Sequence, residues 1–164
     1  MVKRIYGIVL KVLIVVLVYL LQIYVINKIT FFGVTGNLCL MAVVLITLMS
    51  NNKTAYVAAI LCGIVSDVLF SSVVCKYLVI YVIVVSVLIG LKKMYKQDSK
   101  IAIIIFSVSG VVTSEIVMYI FNIFQKGEFV NIFTFILVIL KECIINICLA
   151  FMVYLAFRLC RQEG

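Results

Sequence analysis

From Val79 to Leu91 the chain presents no charged side chain on any face, and runs of this kind recur along it; Ile8–Leu21 is broken only by Lys11. A backbone surrounded by hydrocarbon must satisfy its own N–H and C=O groups, which only α-helices and closed β-barrels achieve. Barrel strands need stretches of about ten residues with alternating polarity. No such alternation is visible, so the runs predict helices. Of 164 residues, 67% are hydrophobic and 12% charged, and the mean hydropathy is +1.38. Too few polar side chains remain to cover a water-facing surface.

A span needs about 20 residues to cross a hydrocarbon layer of about 30 Å. Breaks at Asn27–Gly36, Ser50–Lys53, Ser71–Lys76, Lys92–Lys100 and Gln125–Glu128 delimit spans of 5–26, 37–50, 54–74, 77–91, 101–124 and 131–157. The expected fold is an all-α, polytopic integral membrane protein: a six-helix transmembrane bundle forming one membrane domain over 1–164, with both termini cytoplasmic. The positive-inside rule supports the even count. Inside segments would hold Lys3, Arg4, Lys11, Lys53, Lys92, Lys93, Lys96, Lys100, Arg158 and Arg161, and outside loops only Lys28, Lys76 and Lys126. After Lys3 and Arg4 the first run continues to Ile26 without a small-residue cleavage site, which reads as a retained span rather than a leader.

The net charge of +8 lies in short loops without interleaved aromatics, so it reads as a topology signal and not as a nucleic-acid surface. Six cysteines include no C-x-x-C pair and the chain has no histidine, which leaves zinc and haem without their usual ligands. The cysteines read as small apolar residues, with Cys75, near a loop, the one to watch for reactivity. No phosphate-cradling loop, triad or acidic metal cluster is present. The expectation is a protein without cofactor, metal or catalytic residue.

Polar residues inside spans are Gln22, Asn37, Asp67, Glu115, Asn122, Lys141, Glu142 and Asn146. Each costs energy in hydrocarbon and normally faces the bundle interior. At ~1.5 Å per residue, Asp67 lies ~21 Å from Lys53, Glu115 ~22 Å from Lys100 and Lys141 ~15 Å inward from Asn131. All three fall toward the outer half. The expectation is a partly buried charge network of Asp67, Glu115 and Lys141, with Gln22 and Asn37 hydrogen-bonded nearby. Glu142 and Asn146 share a face at i and i+4 and could pair. Gly33 and Gly36 would permit the first turn. Asp67 can be read as an anchor of helix register or as part of a surface that a partner or ligand reads.

Three short elements carry a family resemblance: Leu20-Leu21-Gln22-Ile23, then Gly36-Asn37-Leu38, then Gly63-Ile64-Val65-Ser66-Asp67. In order, spacing and hydropathy over residues 19–91 they resemble the rod shape-determining protein family MreD; in the second half the likeness is hydropathy and Glu115. Gly36 stands where that family usually has Pro, and Ser71 and Cys75 where Gly is common. The resemblance implies a non-enzymatic component of the bacterial inner membrane that binds MreC and acts in cell elongation with MreB, RodA and a class B penicillin-binding protein. It also implies a fold similar to the substrate-binding subunits of energy-coupling-factor transporters. A vitamin-binding subunit of that kind is the rival reading, disfavoured by a first span without alanine and a chain without Trp or His.

Overall fold

The computed structural model describes residues 19–24, 26–28, 33–71, 73, 75–94, 100–127 and 131–162. Of the expected first span, 19–24 is described and is helical (α1), and Ile26 is described in the turn that follows; 5–18 and 25 lie outside the described residues. A 3₁₀ turn at Ile26–Lys28 follows, then α2 (Leu38–Met49), α3 (Asn52–Phe70), α4 (Lys76–Lys92), α5 (Lys100–Lys126) and α6 (Ile132–Gln162). Among the described residues there is no strand. Three segments, Asn52–Phe70, Ile101–Gln125 and Ile132–Leu155, are long and apolar enough to cross a membrane. Apolar side chains also cover the outward faces. On α3 these are Val57, Ile60, Leu61, Ile64 and Val68, and on α6 Ile132, Ile136, Leu140 and Ile144. Spacings of three and four keep each set on one side of its helix, as contact with lipid requires.

The centre of the molecule is α2. It touches α3, α4, α5 and α6, and of its 12 residues all but Ile46 and Met49 are buried. A helix of this length spans ~18 Å, well short of a bilayer, so its ends would strand backbone donors and acceptors inside the bundle. The protein meets this with polar side chains from elsewhere. At the start of α2, Asn37 Oδ1 accepts from Leu40 N (2.9 Å) and Gln22 Oε1 accepts from Leu38 N (2.7 Å). At its end, Lys92 Nζ donates to the carbonyls of Thr47 (2.8 Å) and Ser50.

On α3 the buried positions are Ala55, Ala59, Cys62, Gly63 and Ser66, a stripe of small residues. Small residues let helix backbones approach closely, and α3 packs against both α4 and α2. The approach is tightest at Gly63, where a Cβ would stand 2.5 Å from Leu78 Cα and 3.0 Å from Leu78 N.

Helix α3 ends at Phe70, short of the expected 74. Ser71 leaves the helix with φ −111° and ψ 136°, its Oγ accepting from Val73 N at 3.0 Å and donating to Val73 O at 2.7 Å. The hydroxyl closes a local turn that competes with further helix. Cys75 then takes φ 65° and ψ 14°, the left-handed region, which costs a non-glycine residue roughly 1–2 kcal/mol. Replacing Cys75 with glycine should relieve this, less the entropy glycine gains in the unfolded chain. The expected net gain is about 0.5–1 kcal/mol, seen as a higher melting temperature of the detergent-solubilised protein. Of the first-turn glycines, Gly33 has φ 81°, whereas Gly36 is buried against the Leu149 and Ile145 side chains of α6.

Candidate functional site

A cavity of about 400 Å³ opens among the helices beside the start of α2. Its lining combines residues from the α1–α2 connection with residues from α1 to α6, and Gln22, Asn37, Glu115, Glu142 and Asn146 among them were already visible as polar residues inside spans.

Gln22 is 7% exposed. Its Nε2 donates to Gly36 O (3.0 Å) while its Oε1 accepts from Leu38 N (2.7 Å), so one amide fastens α1 to the entry of α2. Asn37 caps α2, and its own backbone N–H donates to Asn146 Oδ1 on α6 (2.8 Å). Asn146 therefore pairs with the α2 entry rather than with Glu142. Truncating Gln22 to alanine leaves two buried backbone groups without partners, an expected loss of about 2–3 kcal/mol measurable as a fall in melting temperature.

Asp67 lies on α3 one turn beyond Gly63, and its carboxylate reaches the first turn of α4. Oδ1 accepts from Tyr77 N (2.7 Å) and Oδ2 from Leu78 N (3.1 Å). A carboxylate is favoured there by the free N–H groups and by the helix dipole. Beside it runs a buried hydroxyl chain: Tyr19 bonds Cys62 O and Ser66 Oγ (3.0 Å), and Ser66 Oγ donates to Tyr81 at 3.4 Å.

Asp67 and Glu115, expected to share one charge network with Lys141, take different partners. Asp67 serves α4. Glu115, on α5, has its carboxyl within hydrogen-bonding reach of the Glu142 carboxyl on α6, and the cation acting on it is Lys76. Lys141, half-buried next to Glu142 in sequence, does not line the cavity. Adjacent positions on a helix point about 100° apart, so Glu142 faces inward where Lys141 cannot. Tyr77 lies within electrostatic reach of both Asp67 and Glu115, which places the two carboxylates at the same end of the bundle, as the depth count anticipated.

No protein-family model, curated protein or solved structure matches the chain.

The site's chemistry must then be read from its residues alone. Among the described residues no group of three or more His, Cys, Asp or Glu could hold a metal ion. Cys39 and Cys62 are buried, Cys75 and Cys148 exposed, and all four are free thiols. Sequence reasoning treated Lys92 as a topology charge, yet it caps α2. It did not single out Tyr19, Ser66 or Tyr81, whose hydroxyls sit within apolar helices and carry no charge to mark them. Glu142 was singled out, but for a partner on its own helix. The signal for its pairing with Glu115 was that both are carboxyls deep in spans with no cation at helical spacing on the inward face.

Proposed function

We propose that this chain is a non-enzymatic membrane component of bacterial cell elongation, of the MreD kind, residing in the inner membrane with both termini cytoplasmic. In this reading it is a scaffold for MreC and, with MreB, RodA and a class B penicillin-binding protein, serves side-wall peptidoglycan synthesis and cell shape. One observation supports it above the others. The elements that carry the resemblance each fix a helix end: Gln22 of the first holds Gly36 and Leu38 of the second, Asn37 holds Leu40 and Asn146, and Gly63 and Asp67 of the third hold the start of α4. Their polar groups are used up in fixing helix ends against one another. A scaffold needs such a rigid frame, whereas a catalyst needs those groups free for substrate.

Depletion in the cell of origin tests the reading. Rounding or swelling of rods, together with site-specific crosslinks from the exposed faces of α3 or α4 to co-expressed MreC, is the expected result. The cavity favours a second reading, the substrate-binding subunit of an energy-coupling-factor transporter. Vitamin auxotrophy with unchanged cell shape would select it and reject the first.

A further inference from the structure

Capping accounts for Gln22, Asn37 and Asp67, and leaves the two glutamates of the cavity without a structural task. Glu115 and Glu142 bring two carboxyls together between apolar helices. Such a pair holds together only with a proton or a cation between the oxygens. Among the described residues the lining contains no lysine or arginine. An anion would therefore meet like charge at the one place where charge is available.

The walls add shape. Phe70, Tyr77 and Tyr81 contribute aromatic surface, with the two tyrosine rings 6.1 Å apart and tilted by 57°. Aromatic faces attract organic cations. Asn146 is 1% exposed, lines the cavity, and uses Oδ1 for Asn37. That leaves its Nδ2 as the donor end of the amide not engaged with Asn37, on a residue that lines the cavity. A volume of about 400 Å³ lies within the usual range for small-molecule pockets and would be mostly empty around a bare metal ion. The exposed lining residues Thr35 and Phe70 mark the mouth, at the α1–α2 and α3–α4 connections.

We propose that this cavity binds a small organic ammonium ion with an aromatic or apolar body and an oxygen acceptor, its charge held between Glu115 and Glu142 and its oxygen facing Asn146. Three N–H donors on an ammonium match two carboxyl groups, and the cation takes the place of the proton between them. The site stands whether or not the chain binds MreC.

The full chain in detergent, titrated with tyramine, tests this against two analogues of similar shape, neutral tyrosol and anionic 4-hydroxyphenylacetate. Tyramine should raise the melting temperature in a concentration-dependent way and bind at least about tenfold more tightly than either analogue, as expected for one charge interaction in a partly dry site. Glu115→Gln and Glu142→Gln should each weaken tyramine by about tenfold or more. Lys76→Met, outside the lining and leaving the backbone N–H groups that Asp67 caps in place, should tighten it severalfold, because it removes a competing cation from Glu115. Equal binding of the three compounds would overturn the site, as would an unchanged or weaker affinity in Lys76→Met, or equal protection by sodium or calcium alone. An ammonium can also come from a phospholipid headgroup. Nanodiscs with and without phosphatidylethanolamine separate the sources: competition with tyramine assigns the site to the headgroup, and undiminished binding assigns it to a soluble amine.

Discussion

Replacing Gly63 with alanine is expected to destabilise the protein by about 3 kcal/mol, the upper part of the range for forcing an extra methyl into a packed core. The new Cβ would stand 2.5 Å from Leu78 Cα, a backbone atom with no rotamer to yield. Relief would require α4 to move off α3. That movement would also draw Tyr77 N and Leu78 N away from Asp67, so the steric and hydrogen-bond costs arrive together. For a chain of this size the loss corresponds to a fall of roughly 6–12 °C in melting temperature. Gly90→Ala is the matched control: it lies in the same hairpin, with nothing within 4 Å of its would-be Cβ. There alanine should stabilise by about 0.5–1 kcal/mol through helix propensity. Similar melting temperatures for the two variants would mean that α3 and α4 do not approach as described.

The helices were legible because hydrocarbon leaves so few choices. An apolar run between charged breaks predicts a helix, and α2, α4, α5 and α6 begin and end within a few residues of the expected segments, although 131–157 continues as helix to Gln162. The centrality of α2 was not legible. A twelve-residue helix that is apolar except for Thr47 looks alike whether it faces lipid or the four helices α3 to α6, and the length alone gave no hint that its ends would be capped from α1 and α4. For the same reason the role of Lys92 was hidden. A lysine at a span end satisfies the positive-inside rule and can also snorkel back to two carbonyls, and no sequence rule separates these uses.

At the candidate site the sequence identified the expensive residues but not their partners. Gln22, Asn37, Asp67 and Glu115 were recognisable because a polar group in a span has to be satisfied. Pairing depends on helix rotation about its own axis, which a depth count does not contain. An error of one residue turns a side chain by about 100°. This is the difference between Lys141, outside the cavity, and Glu142, within it.

Asp67→Ala should cost about 3 kcal/mol, and the cost should resist local repair. The substitution removes both acceptors from Tyr77 N and Leu78 N, and each part-buried donor left unpaired is worth about 1–3 kcal/mol. Asp67→Asn keeps one acceptor oxygen and should lose roughly half as much. Ordinarily a helix start of this kind is rescued by placing Ser or Asp at the residue before it, whose extended backbone lets the side chain reach the N–H groups of the first turn. Here that residue is Cys75, and its left-handed backbone aims a short side chain elsewhere; it makes no capping hydrogen bond. The α4 start therefore depends on an acceptor delivered from α3, which explains why a carboxylate is kept at a position where hydrocarbon disfavours it. Cys75→Ser or Cys75→Asp in the Asp67→Ala background should recover little of the lost stability by thermal melting. Full recovery by either would show that α4 can be capped locally and that Asp67 is held in place for some other purpose.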